Sequence, residues 1–332
     1  MNNNGINVLS LFSGSEISKD IMKDMGVSIN NWYSSEVDPY AIAVSKYHYK
    51  DLTHLGDIRN IDTDKLEGID LLIGGSSCQN FSLAGNRIGM STKENIEVLT
   101  LEKYLELKKE GMEFEGLSYL FWEYIKIKNE TNPKYFLLEN VVMSKKWEKI
   151  ITDAMGVEPI LINSKLVSAQ KRPRLYWTNI PNITQPIDKG LTIKDILDEE
   201  YSKKEILSDK IQDRFIITGE DEISGYSIGT TKPPFRTIGQ RDHVFGDNQK
   251  MGCLVATDYK QPKQIFHNGI LRKISPIEAE RLQTLKDDYT KWGLFEDGVK
   301  QISNTQRLKI IGNGWTRDII EHIFSFINWN NI

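Results

Sequence analysis

The chain has 332 residues, 39% hydrophobic and 27% charged, with a formal net charge of −4 and two cysteines. These values describe a globular protein of one or two domains. They exclude a disulfide framework, a four-cysteine zinc site, and a strongly basic chain binding polyanions through bulk charge. No apolar run approaches the ~20 residues of a membrane span. The N-terminal stretch MNNNGINVLSLF lacks the basic and long apolar regions of a secretory signal, so a cytoplasmic protein with no membrane association is expected.

Strand-like and helix-like segments alternate along the first 180 residues. INVLSLF (6–12) reads as a buried strand, and the following segment places Ile17, Ile21 and Met25 four apart, a helix ending near Gly26. NNWYSSE (30–36) is a second strand. Asp38-Pro39 opens a helix over 38–49, with Asp as N-cap and Pro at the first helical position. THL (53–55), IDLLIGG (69–75) and KYFLLEN (134–140) are further strands, and SYLFWEYIKIKNE (118–130) is helical. This order predicts an α/β domain around a parallel sheet covered on both faces.

From about residue 181 the pattern weakens. Residues 181–230 carry 6 Lys/Arg against 11 Asp/Glu, whereas residues 231–273 carry 8 against 3. Helical signals return in SPIEAERLQTL (275–285), where Ser275 and Glu278 form a capping box. They continue in the last helix, with Ile319, Ile320, Ile323, Phe324 and Ile327 on one face.

In open parallel sheets ligands bind beyond the carboxyl ends of the strands, and those ends carry a consistent polar set. The first is followed by Phe12 and a small-residue turn with Gly14. Glu36 follows the second, suited to accept both ribose hydroxyls. Asp57 follows the third, suited to an adenine amino group. Ser77 and Cys78 follow the fourth, and Glu139 with Asn140 ends the fifth. Cys78 and Glu139 form a chemical pair, because a thiolate nucleophile beside a carboxylic acid suits attack on an electron-poor heterocycle. Taken singly, each of these residues has a plainer reading: a small buried cysteine, a solvated cap. SAQKRPRLYWTNIP (168–181) adds Gln170, Arg172 and Arg174, which on one extended strand would point to the same face.

In this order the motifs resemble the DNA (cytosine-5)-methyltransferases over nearly the whole chain. The matching stretches are SLFSGSE (10–16), SEVDPYA (35–41), GDI (56–58), GGSSCQNFS (74–82), PKYFLLENV (133–141), QKRPR (170–174), RKISPIEAERLQTL (272–285) and IGNGWT (311–316). The resemblance implies a Rossmann-like S-adenosylmethionine-dependent methyltransferase fold with a mixed, mostly parallel sheet, plus a smaller irregular target-recognition domain. It places the catalytic and cofactor-binding domain at 1–180, the recognition domain at 181–270 and a return to the catalytic domain at 271–332.

The resemblance further implies S-adenosyl-L-methionine as cofactor, double-stranded DNA as partner, no metal, and a monomer. It leaves open a cognate restriction endonuclease. Cys78, Glu139, Arg172 and Arg174 are the implied catalytic residues, with Arg174 on the cytosine O2 and Arg172 supporting the catalytic loop or a phosphate. Phe12, Gly14, Glu36, Val37, Asp57, Ile58, Ser77, Leu120 and Asn313 surround the cofactor. Gln79, Ser82, Gln170, Arg236, Gln240, Arg241 and Thr257 face DNA, with the basic stretch 231–250 as the candidate for groove contact. A cytosine-5 methyltransferase acting on RNA, or a catalytically silent DNA-binding relative, are the alternatives. Departures are a glycine-poor cofactor turn, in which Ser15 and Glu16 narrow the space for the methionine end, Ser77 where the family has proline, and Thr-Leu-Lys after RLQ (281–283).

Overall fold

A computed structural model of the chain describes residues 5–77, 81, 89–218, 227–231 and 242–332. Its contacts divide the chain into two compact units. One is Met1–Ile162 with Pro173–Gln185 and Glu321–Ile332; the other is Asn163–Arg172 with Pro186–Ile320. This differs from the expected boundaries, because residues 271–320 group with the second unit and only the last dozen return to the first.

The first unit is built on a seven-stranded sheet. Its strands are β1 (Ile6–Leu11), β2 (Ile29–Ser35), β3 (Thr53–His54), β4 (Leu71–Gly75), β5 (Tyr135–Val141) and β6 (Ile160–Asn163). The short β7 (Gln170–Lys171) belongs elsewhere, and β8 (Pro173–Thr178) completes the sheet in the order β3-β2-β1-β4-β5-β8-β6. The pairings from β3 to β5 are parallel, and β8 runs antiparallel to β5. The expected mixed, mostly parallel sheet is therefore present.

The helices are α1 (Ile17–Asp24), α2 (Pro39–His48), α3 (Leu101–Lys109), α4 (Phe121–Thr131) and α5 (Lys145–Met155). Asp38 caps α2 as expected, its carboxylate accepting from the Tyr40 and Ala41 N–H groups at 2.9 and 3.2 Å. Leu9, Leu11, Leu72, Leu138, Phe121 and Trp122 share one buried core. The apolar strand runs are fully covered because helices lie against the sheet.

In the second unit, α6 (Asp209–Gln212) is a single turn. The strands β9 (Phe215–Ile217), β10 (Gly229–Thr231), β11 (His243–Phe245), β12 (Met251–Gly252), β13 (Gln264–His267) and β14 (Ile270–Lys273) follow. Five of them form a sheet in the order β14-β13-β11-β10-β9, and β12 pairs with β7. The region expected to be irregular thus holds a sheet, but its strands are three or four residues long, too short to show periodicity.

Helix α7 (Pro276–Leu282) carries the predicted capping box. Glu278 N–H donates to Ser275 Oγ at 3.1 Å, and the Glu278 carboxylate accepts from Ser275 N–H at 2.7 Å. The same carboxylate takes both terminal nitrogens of Arg272 at 2.6 and 2.8 Å, and that pair is fully buried under the Tyr201 ring. A hairpin of β15 (Trp292–Phe295) and β16 (Gly298–Gln301), then α8 (Asn304–Asn313) and α9 (Arg317–Phe324), end the chain. Ile319, Ile320, Ile323 and Phe324 are fully buried, and Ile327 is buried just past the helix end.

Among the described residues no helix is long and apolar enough to cross a membrane.

Candidate active site

The polar groups of the first unit gather at the carboxyl ends of its strands. The turn after β1 is tightly wound: Phe12, Gly14 and Glu16 have φ of 54°, 55° and 59°. Only glycine adopts this conformation without strain, so two of the three positions are held by their surroundings. The Gly14 N–H donates to Glu36 Oε2 at 2.8 Å, and Glu36 Oε1 accepts from Val37 and Asp38 N–H at 2.7 and 2.9 Å. Ser13 and Ser34 hydroxyls meet at 2.9 Å, and Ser35 Oγ donates to Gly56 O at 2.8 Å. Hydrogen bonds thus tie together the ends of three neighbouring strands.

Asp57, expected to accept from an adenine amino group, has a protein partner of its own. Its two oxygens take the Arg59 N–H, Nε and terminal guanidinium nitrogen. That hydrogen-bonded pair holds the Asp57 carboxyl below the ordinary carboxylate range. Arg59 went unassigned in the sequence, although an arginine two residues after a capping aspartate is a readable signal. With Phe114 and Tyr119 it lines an open cavity of about 360 Å³. Ile58 is buried, Leu120 is buried in a short 3₁₀ turn, and Val37 is 66% exposed beside Glu36.

Glu16, expected to narrow the space for the methionine end of the cofactor, turns into the protein. It is fully buried, and its Oε2 receives Ser18 Oγ at 3.4 Å. Burial pushes its carboxyl up to about 7, with Ser34, Trp32, Ser10 and Ser13 pulling the other way. The folded state therefore binds this proton more tightly than the unfolded chain, where the group titrates near 4.5. The stability that protonation confers is complete below that value and is lost as pH rises through about 7. Relative to Glu16→Gln, the wild type should lose up to about 3 kcal/mol between pH 5 and pH 8. Urea unfolding of both proteins across that range checks this, and parallel profiles would refute it.

The acid and its neighbour are set by β5. Glu139 stands opposite Gly75, three residues before Cys78. Its Oε1 receives Arg174 Nε at 2.8 Å across the β5–β8 pair, with both side chains about 12% exposed. Asn140 Nδ2 donates to the Ser76 carbonyl and hydroxyl at 3.2 and 3.0 Å, gripping the chain just before Ser77, which is partly exposed. Cys78, Gln79 and Ser82 lie outside the described residues, as do Arg236, Gln240 and Arg241.

Three sequence expectations are corrected. Residues 170–174 are not one strand: β7 ends at Lys171 and β8 begins at Pro173, with Arg172 between them, and the two join different sheets. Gln170 is fully buried, donating to Leu282 O and Gln283 Oε1 and accepting from Leu254 N–H, so it faces the protein interior rather than DNA. Arg172 is buried too, so its guanidinium is not open to a phosphate. Its guanidinium donates to Leu254 O at 2.6 Å, Gly314 O at 2.8 Å and Gly312 O at 3.4 Å. It clamps the turn around Asn313, which is exposed at the end of α8.

The basic stretch is also partly internal. Within 231–250, Lys250 donates to the carbonyls of Lys165, Ser168 and Leu191. Thr257 is exposed on a 3₁₀ turn.

Comparison with known proteins fits this arrangement. Residues 6–329 match the family model of the C-5 cytosine-specific DNA methylases. The chain belongs to this family. As a methylase it is an S-adenosylmethionine-dependent DNA cytosine methyltransferase. It is 28% identical over 310 residues to the type II methyltransferase M1.ScrFI of Lactococcus lactis subsp. cremoris, covering 86% of this chain and 68% of that one. It is 25% identical to the orphan methyltransferase M.SPBetaI of Bacillus phage SPbeta, over 96% of both chains. Among solved structures, the S. pombe Dnmt2 methyltransferase matches with a TM-score of 0.63 at 14% identity, over 98% of this chain and 100% of that one. A putative DNA modification methyltransferase encoded within an E. coli prophage gives 0.61 at 16%, over 99% and 100%. At these identities the structural matches show the methylase's fold.

Proposed function

We propose that this methylase modifies C5 of a cytosine swung out of a specific short duplex sequence, through a covalent bond between Cys78 and C6. A base inside the stack exposes neither atom to a side chain, so the reaction needs an extruded nucleotide. The observation that carries the reading is the register of β4 and β5, which sets Glu139 opposite Gly75 and three residues from Cys78.

The Cys78 thiolate adds to C6, and the electron pair of the C5–C6 bond moves to C5. Glu139 hydrogen-bonds N3 and gives or shares its proton there, which neutralises charge developing on the ring. Arg174 holds Glu139 in place and presents its remaining donors to the cytosine O2. After transfer, water takes the C5 proton, its electron pair re-forms the C5–C6 double bond and expels the Cys78 thiolate, and the N3 proton returns to Glu139, leaving 5-methylcytosine.

S-adenosyl-L-methionine supplies the methyl group when bound. The residues present fit it: a Cβ at Gly14 would meet nothing within 4 Å, leaving room above the turn. Glu36 is fixed by three N–H groups yet keeps lone pairs for ribose hydroxyls. Val37 and Leu120 offer apolar surface for the adenine ring, with Ile58 beneath. At Asp57 an adenine amino group shares the carboxylate with Arg59 or displaces it. In the second unit, Asn313 is held by Arg172 as the last cofactor contact, and Thr257 supports the recognition loop that includes Arg236, Gln240 and Arg241. The protein acts as a monomer in the cytoplasm, with or without a cognate restriction endonuclease.

The test is expression in a bacterium lacking cytosine methylation, followed by genome-wide mapping of 5-methylcytosine. Methylation at one short sequence is the expected result. A soluble, folded protein that leaves the genome unmodified would sink the DNA reading, and labelled cofactor with tRNA would then decide for or against RNA.

A further inference from the structure

Phe81 and Gly89 flank residues 82–88, and both pack on the indole of Trp147. The Phe81 and Trp147 rings lie 5.9 Å apart, centroid to centroid, at 52°. Gly89 has φ of +73°, and a Cβ there would fall 1.8 Å from the Trp147 ring, so the indole presses directly on this α-carbon. Phe81 and Trp147 are both buried, at 2% and 5% exposure.

Trp147 sits in the first turn of α5, eight residues after Glu139 on the same run of chain. Asn140, in that run, grips Ser76. The segment 139–147 therefore touches the Cys78 region at three points: Ser76 before it, Phe81 after it and Gly89 at its far side. One short piece of chain carries the acid and all three tethers.

We propose that Trp147 is a positioning residue for methyl transfer, fixing the chain that carries Cys78 in register with Glu139. The inference rests on the reading of Cys78 and Glu139 as nucleophile and acid. Trp147 touches neither substrate nor cofactor; it acts through Phe81 and Gly89. A nucleophile displaced by about 1 Å loses on the order of 100-fold in rate, so packing at this distance matters to chemistry.

Trp147 also belongs to the main core, so loss of activity alone would not separate positioning from folding. The experiment compares wild type, Trp147→Leu, Trp147→Phe, Gly89→Ala and the Gly89→Ala/Trp147→Leu double variant on unmethylated genomic DNA, below each protein's melting temperature. Trp147→Leu should lower kcat roughly 10- to 100-fold while KM for DNA and cofactor affinity by calorimetry stay within about twofold. Trp147→Phe should recover most of the rate. Gly89→Ala should be damaging alone and keep only its backbone cost in the Trp147→Leu background, since φ of +73° strains alanine whatever the space while the clash with the indole is relieved.

Iodoacetamide labelling of Cys78, followed by mass spectrometry with Cys253 as internal reference, needs no substrate. In Trp147→Leu it should shift by about threefold or more. A folded Trp147→Leu with wild-type kcat and unchanged Cys78 labelling would overturn the proposal. Should Trp147→Leu not fold, Gly89→Ala decides: full activity there overturns the proposal as well. A wild type that methylates nothing would sink the methyltransferase mechanism instead, and the labelling rates would still report on the tether.

Discussion

Cys78→Ser should show no measurable methyl transfer, a loss on the order of 10⁴- to 10⁶-fold, while binding DNA as the wild type does. The hydroxyl is similar in shape but carries almost no anion at neutral pH, whereas an ordinary thiol carries a few per cent of a far stronger nucleophile. Binding survives because the phosphate and base contacts come from other residues. Transfer of labelled methyl groups, read beside gel-shift titration, separates the two effects. Turnover within tenfold of wild type would remove Cys78 from the mechanism. Loss of DNA binding together with turnover would point to a folding defect, and the melting temperature identifies that case.

The strands β1, β4 and β5 were legible because each is a largely apolar, buried run bounded by polar turns. Helices α2 and α7 were legible from their caps, since Asp-Pro and Ser-Pro-x-Glu each name the first turn outright. Helices α3, α5 and α8 were not singled out. Yet each carries apolar residues three or four apart that could have been read, Tyr104 and Leu107, Trp147 and Ile151, and Leu308 and Ile311. The strand-end carboxylates Glu36, Asp57 and Glu139 were legible from position alone. Two of their partners were not, because Arg174 and Gly14 meet them across neighbouring strands, whereas Arg59 lies only two residues after Asp57 and could have been read. The largest difference concerns Gln170, Arg172 and Arg174. Alternation on one strand would have aimed all three alike, but Pro173 removes an N–H donor and the chain changes sheets there. Two of the three turn inward, and only Arg174 reaches the acid.

Glu139→Gln should lower kcat by about 10²- to 10⁴-fold with little change in cofactor affinity, because the amide keeps the shape of the acid but has no proton to give. The Arg174 contact makes the result specific. Arg174 Nε lies 2.8 Å from Oε1, and the amide oxygen of glutamine can accept the same hydrogen bond. Geometry is thus largely retained and the proton alone is lost. Arg174→Lys makes the converse change: the carboxyl group stays, but the planar fork that holds it and points at the base becomes a single flexible ammonium. If Glu139 acts by proton donation or sharing at N3, Glu139→Gln should be the slower of the two in single-turnover transfer, and Arg174→Lys should mainly weaken discrimination for cytosine at the flipped position. Equal single-turnover rates for Glu139→Gln and wild type would show that N3 needs only a hydrogen bond, and would reassign the proton to solvent.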